Sequence, residues 1–174
     1  MQAALALAQD IRLLILDVDG VLTDGTLYFG ETGEALKSFN IRDGHGIKML
    51  MEGGVAVAII TGRRSRMVEE RARNLGIPHL IQGAEDKAAA LAKLVEASGI
   101  PPDACAAIGD DVLDLPVLRR VRFAATVPDA PEIVLKHAHY VTKVAGGRGA
   151  VRELCELILR SQDKLDAAHA KYLA

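Results

Sequence analysis

The chain of 174 residues carries 21 Lys and Arg against 23 Asp and Glu, a formal net charge of −2, with half of its residues apolar and a quarter charged. Neither a disordered chain nor a globally basic nucleic-acid binder fits that balance. Aromatic residues make up 3% with no Trp, which leaves stacking platforms for single-stranded nucleic acid or sugar rings almost nothing to be built from. The length makes one domain the default, spanning residues 1–174, and a globule of this size buries about 70% of its unfolded surface, enough for one core of Ala, Val, Leu and Ile. Cys105 and Cys155 sit in apolar runs and read as buried structural thiols rather than a disulfide framework. The first ten residues lack a basic stretch and do not read as a secretory signal; no apolar run approaches the span of a bilayer. The expectation is a cytoplasmic protein in a reducing compartment, with no membrane or nucleic-acid partner.

In chain order, strand patterns are predicted at residues 12–18, 55–60, 79–82, 105–108, 122–125 and 140–142. Helical patterns fall between them at 47–52, 65–75, 87–97, 112–121 and 131–138. Such alternation is the mark of a parallel sheet with helices on its faces. Gly53-Gly54, Gly76, Gly99 and Pro101-Pro102 punctuate the helix ends. One segment, about residues 24–44, breaks the alternation. Leu27-Tyr28-Phe29, a turn over residues 30–33 and an extended run from Ala35 to Ile41 read there as a β-hairpin inserted after the first strand, too small for a cap domain. From Ala150 an amphipathic helix (Val151, Leu154, Cys155, Ile158, Leu159) runs into a polar, Ala-rich tail ending at Ala174. The fold class expected is a doubly wound, mostly parallel, Rossmann-like α/β sheet with a hairpin insert and no cap.

The first strand ends in Asp17-Val18-Asp19-Gly20. Strand alternation puts Asp17 and Asp19 on one side, where their mutual repulsion costs stability unless a cation sits beside them. Taken alone, the pair also suits an ordinary turn. It is joined, however, by Thr61-Gly62-Arg63 after the second parallel strand, Lys87 after the third, and Gly109-Asp110-Asp111 with Asp114 after the fourth. In open α/β sheets ligands bind outside the carboxyl ends of the strands, so these segments share one rim. Asp17 and Asp110 are hard oxygen ligands with no His or Cys in their motifs, which points to Mg²⁺ completed by a substrate phosphate. Asp17 is then the nucleophile that forms an aspartyl-phosphate, and Asp19 the general acid and base. Thr61, the Gly62 amide and the Lys87 ammonium would hold the non-bridging oxygens.

Asp17-x-Asp-Gly-x-x-x-Asp-Gly25, Thr61, Lys87 and Gly109-Asp-Asp-x-x-Asp114 resemble, in order, the motifs of the haloacid dehalogenase superfamily. The acid at position 19 is similar to that of its phosphohydrolases rather than its ion pumps. With Phe39-Asn-Ile-Arg-Asp-Gly44, Thr61-Gly-Arg63 and residues 146–153 (Gly-Gly-Arg-Gly-Ala-Val-Arg-Glu), the chain from about residue 12 is similar to the capless 3-deoxy-D-manno-octulosonate 8-phosphate phosphatases of lipopolysaccharide sugar biosynthesis. That resemblance implies a homotetramer in which the hairpin and tail of one subunit help close the site of its neighbour, with a sugar-acid phosphate as substrate. It implies metal ligation by Asp17, the main-chain carbonyl of Asp19, and Asp110, with Asp111 and Asp114 as supporting acids behind them. Substrate contacts are implied for Asp19, Asn40, Ile41, Arg42, Asp43, Gly44, Lys48, Gly62, Arg63, Arg71 and Lys87, with Arg148 a further candidate. Lys48 stands where relatives commonly carry Arg, and the two are not equivalent at a bidentate contact.

The cations at 42, 48, 63, 71 and 87 agree in sign with a substrate charged at both ends, whereas Arg64, Arg66 and Arg73 read as a solvated helix face. Gly147-Arg-Gly149 lacks the third Gly of a dinucleotide fingerprint. His137-x-His139 reads as surface, and His45 suits a loop role as well as a substrate contact. The alternatives are a phosphatase for another nonulosonate 9-phosphate and, in a different class, a phosphoacceptor signalling domain. In the latter the phosphorylated Asp follows a later strand, whereas the D-x-D here lies on the first.

Overall fold

In the computed structural model, which describes residues 1–173, the apolar runs form a six-stranded parallel sheet with flanking helices. The elements run α1 (Gln2–Ala8), β1 (Leu13–Leu16), β2 (Tyr28–Gly30), β3 (Gly33–Leu36), α2 (Ile41–Glu52), β4 (Ala56–Thr61), α3 (Arg66–Leu75), β5 (His79–Gln82), α4 (Lys87–Ser98), β6 (Cys105–Ile108), α5 (Leu115–Leu118), β7 (Phe123–Thr126), α6 (Glu132–His137), β8 (Tyr140–Val141), α7 (Ala150–Ser161) and α8 (Leu165–Ala170). The strand order is β5-β4-β1-β6-β7-β8, every pairing parallel. The chain starts at the centre, winds to one edge, returns and winds to the other. This is the doubly wound arrangement, and the crevice between β4 and β6 at the end of β1 is its topological switch point.

β1 (Leu-Leu-Ile-Leu) and β6 (Cys-Ala-Ala-Ile) are buried along their whole length, as a strand covered on both faces must be. Helices α1, α2 and α7 pack together, as do α4, α5 and α6. The hairpin β2/β3 stands apart as an antiparallel pair, and Leu27, Tyr28, Phe29 and Leu36 on it are exposed. Among the described residues no further domain is inserted between β1 and α2.

The structure corrects several expected boundaries. The hairpin strands end at Leu36, and residues 41–46, expected in the hairpin insert and the loop after it, form the first turns of α2. Asn40 caps that helix, its Oδ1 accepting from the Arg42 amide at 2.8 Å. The helix expected over 112–121 is a 3₁₀ turn (Val112–Asp114) followed by the short α5. Residues 2–8, unassigned from the sequence, are helical, and the tail after α7 breaks at Asp163 (φ 56°) before α8. Residue 174, the last of the expected tail, lies outside the described residues.

Candidate active site

The expected rim residues of the sheet converge in one cleft of about 610 Å³, lined by Asp17, Asp19, Thr61, Lys87, Asp110 and Asp114 together with Gly62, Arg63 and Asp111. Asp17 follows the last residue of β1, and its amide donates to the Ile108 carbonyl at 3.1 Å, so the central pairing of the sheet extends to the carboxylate itself. After it the chain turns sharply. Gly20 adopts φ +89°, and Thr23, buried at the turn, accepts from the amides of Gly20 (3.3 Å) and Gly25 (3.2 Å). A Cβ at position 20 would lie 2.0 Å from Asp110 Oδ2. The turn therefore admits the Asp110 carboxylate only because residue 20 has no side chain.

The 146–148 loop clamps this turn from outside. Gly147 donates its amide to the Val21 carbonyl at 2.9 Å, and a Cβ at Gly146 would fall 1.8 Å from the Gly20 carbonyl oxygen. The Gly-rich run thus serves close backbone packing. Arg148 on the same loop is exposed and stands 3.8 Å from Asp24.

Lys87 opens α4, where the Asp86 side chain caps the helix by accepting from the Ala88 and Ala89 amides. Its ammonium, 5% exposed, donates to Asp17 Oδ1 at 2.8 Å and to Asp114 Oδ1. Burial alone would lower that ammonium, yet the two carboxylates hold it above its ordinary value. Asp114 Oδ2 accepts from the Asp110 and Asp111 amides at 3.0 and 3.2 Å. Both oxygens of Asp114 are thereby engaged within the chain, so it supports Lys87 and the Gly109–Asp111 turn.

Ligand oxygens of Asp17, Asp110 and Asp114 lie within 4.8 Å of one another. Burial, then the neighbouring Asp17 and Asp114 charges, push the Asp110 carboxyl up to about 7. Asp17 is raised too, by burial and by Asp114, against the opposing pull of Lys87. Among the described residues Asp110 has no cationic side chain within ion-pair distance. A buried and a half-buried carboxylate held above their normal range, offering hard oxygens with no His or Cys in the cluster, fit a small divalent cation such as Mg²⁺.

The residues that sequence reasoning grouped as substrate contacts divide. Gly62 and Arg63 line the cleft, whereas Arg71 faces a neighbouring depression with Lys37 and Phe39, its Nη2 donating to the Asn40 carbonyl at 3.3 Å. Ile41, Arg42 and Lys48 are exposed on α2, outside this cleft. Gly44 is buried against Arg71, and a Cβ there would lie 2.3 Å from its Nη2. Asp43, also implied as a substrate contact, lies buried in the first turn of α2. The group is 1% exposed, and Oδ1 accepts from the Arg152 amide at 2.7 Å, so it caps the first turn of α7. Burial raises its pKa, and the backbone amides of α7 work against that shift. Lys37, which contacts Asp19, and Glu34, which contacts Lys37, belong to none of the sequence motifs.

A model of the haloacid dehalogenase-like hydrolases matches residues 79–154. The chain is 51% identical over 164 residues to the 3-deoxy-D-manno-octulosonate 8-phosphate phosphatase of Escherichia coli K12, covering 94% of this chain and 87% of that one. The chain belongs to the haloacid dehalogenase-like hydrolase family. Among solved structures of this family, the phosphatase of the same name from Yersinia pestis superposes with a TM-score of 0.92 at 51% identity, over 94% of this chain and 89% of that one. The Moraxella catarrhalis phosphatase, crystallised in complex with magnesium ion, phosphate ion and a KDO molecule, superposes with a TM-score of 0.96 at 44% identity, over 99% of both chains. No helix among the described residues is long and apolar enough to cross a membrane.

The raised Asp110 carboxyl gives a signed prediction. An acid with a higher pKa folded than unfolded favours the native state at low pH, and that contribution is lost as pH rises from its ordinary value of 3.8 through about 7. In chelator-stripped protein, stability from this group should fall over that interval. Mg²⁺ should raise the melting temperature more at pH 8 than at pH 5, because it competes with protons for the same oxygens. Differential scanning calorimetry at both pH values checks this; an equal Mg²⁺ shift at the two would contradict it.

Proposed function

We propose that this chain is a Mg²⁺-dependent phosphomonoesterase that releases phosphate from 3-deoxy-D-manno-octulosonate 8-phosphate, in lipopolysaccharide sugar biosynthesis, through an aspartyl-phosphate on Asp17. The observation that carries the reading is the pairing, in one cleft, of an Asp17 with Lys87 on only one of its oxygens and an Asp110 with no cationic partner among the described residues. The half-identity to phosphatases of that name along 94% of the chain supports the substrate. We also take residues 1–174 as one catalytic domain, supported by a hydrophobic cluster that, among the described residues, joins both helical layers to the sheet.

Asp17, the main-chain carbonyl of Asp19, and Asp110 would hold Mg²⁺, which when bound draws the phosphate toward Asp17 and offsets charge in the transition state. Lys87 fastens Asp17 Oδ1, so Oδ2 is the attacking oxygen. As the Asp17–phosphorus bond forms, the bond from phosphorus to the sugar oxygen breaks, and Asp19 gives that oxygen its proton. The sugar leaves as an alcohol. Asp19 then takes a proton from a water whose oxygen attacks phosphorus, and the acyl phosphate opens to inorganic phosphate and the Asp17 carboxylate. Thr61, the Gly62 amide and Lys87 hold the non-bridging oxygens, and Asp111 and Asp114 brace the Asp110 turn.

A cleft open to bulk water loses electrostatic strength, and a second subunit supplies the missing cover. We therefore propose a homotetramer. The exposed Leu27, Tyr28, Phe29 and Leu36 of the hairpin suit an apolar interface. Ile41, Arg42 and Lys48, exposed and outside their own cleft, would meet the sugar acid bound to a neighbouring subunit. Asn40, Asp43 and Gly44 would set the start of α2 that presents them. Arg63, and Arg71 in the adjoining depression, supply further positive charge.

Phosphate release measured over a panel of sugar phosphates should be greatest for 3-deoxy-D-manno-octulosonate 8-phosphate, should stop with EDTA and should return with Mg²⁺. Preference for a 9-phosphate of a nine-carbon acid would replace the substrate while keeping the chemistry. Sedimentation equilibrium at micromolar concentration should give the mass of four protomers, and the mass of one would refute the assembly.

A further inference from the structure

The hairpin brings a cation from the neighbouring depression to Asp19 of the cleft. Lys37 follows the last residue of β3, and its side chain is 2% exposed. Its ammonium donates a hydrogen bond to Asp19 Oδ1 and lies 2.9 Å from Glu34 Oε1. Glu34, itself 13% exposed, also faces Arg63, whose Nη2 is 3.6 Å from the same oxygen, and Arg63 Nε stands 3.9 Å from Asp19 Oδ2. The four charges alternate in sign around a closed ring of Asp19, Lys37, Glu34 and Arg63. Withdrawing an ammonium from water is costly unless carboxylates compensate it, and here two do.

We infer that Lys37 is a positioning residue for Asp19. Among the described residues it donates the one side-chain hydrogen bond that the Asp19 carboxylate accepts. That bond fixes Oδ1 and leaves Oδ2, too far from Arg63 for a hydrogen bond, turned free to meet the ester oxygen of the substrate. A proton donor works only within hydrogen-bond reach of the atom it serves, so a rotamer held on one side is a direct gain in catalysis. Glu34 holds Lys37 in turn, and draws Arg63 away from the free oxygen. The hairpin thus sets the geometry of the acid/base group of its own subunit, a task separate from any contact with a neighbour. The inference rests on reading Asp19 as the group that protonates the leaving oxygen.

The test compares two substrates. A sugar alcohol needs a proton to leave, whereas 4-nitrophenolate does not. Lys37→Met should lower kcat/KM for the sugar phosphate by about 10- to 100-fold, a fraction of what a general acid supplies, and for 4-nitrophenyl phosphate by no more than about threefold. Lys37→Arg should recover most of the loss. Asp19→Asn should show the same split, and Lys37→Met added to it should cost little more, because residues that act as one unit are not additive. If Lys37→Met fails to fold by circular dichroism, Glu34→Gln keeps the hairpin and should give a smaller split of the same sign. Equal losses on both substrates in the Lys37 and Glu34 variants, beside a split in Asp19→Asn, would overturn the role of Lys37 alone. No split in Asp19→Asn would overturn the role of Asp19 as well.

Discussion

Three carboxylates meet at the open end of the central strand with one buried ammonium among them, and that imbalance of charge governs how the cleft is built. Two unit charges about 4 Å apart interact by roughly 4 kcal/mol at the effective dielectric of a partly buried site. Lys87 therefore offsets only one of the two negative charges it touches, on Asp17 and Asp114, and leaves Asp110 without a partner. Asp114 gives its second oxygen to the Asp110 and Asp111 amides. A net negative charge thus remains on Asp17 and Asp110, and it falls on the two oxygen donors that line the cleft. In metal-free protein burial, and after it this repulsion among the carboxylates, raises the Asp17 and Asp110 carboxyls above their ordinary range. With a divalent cation the same charge becomes a seat for a phosphate.

The sheet and its glycines hold those charges at close quarters. Asp17 and Asp110 project from adjacent parallel strands, β1 and β6, in register from Leu13 and Cys105 to Leu16 and Ile108. Their carboxylates can approach only because Gly20 leaves room, and the turn that carries Gly20 is pressed into place by Gly146 and Gly147 from the far end of the chain. Asp43 extends the same tie. By capping α7 it anchors the helix that follows the clamping loop, and the Asn40 side chain donates to the Gly147 carbonyl at 3.1 Å. Segments separated by more than a hundred residues thereby converge on a single turn after β1.

Much of this was legible in the sequence, and the reasons for the exceptions are physical. The strands were readable because both faces of the sheet are covered, so β1 and β6 are unbroken apolar runs ending in acids. The Asp, Thr and Lys motifs stood out because the topology sends successive strands to one rim. The start of α2 did not, since Asp43-Gly44-His45-Gly46 contains two glycines, poor helix formers. The helix forms there because both glycines are packing sites: a Cβ at Gly46 would lie 2.8 Å from Arg152 Cδ, and one at Gly44 would strike Arg71. Tertiary contact overrides propensity at that point. The capping role of Asp43 is not visible in the sequence because only the fold brings the start of α7 to it. Lys37 and Glu34 belong to none of the sequence motifs, and the link of Lys37 to Asp19 depends on where the hairpin lies against the rim, which no local pattern encodes.

The central claim is that phosphorus is transferred to a carboxylate oxygen of Asp17 while the Asp110 side of the cleft carries the metal. Rapid acid quench of the Mg²⁺-loaded enzyme during turnover, followed by borohydride reduction and peptide mass spectrometry, tests it most directly. Trapping of the acyl phosphate as homoserine at position 17, absent when Mg²⁺ is withheld, is the predicted result. A label on another residue, or rapid turnover with none at all, would contradict the account.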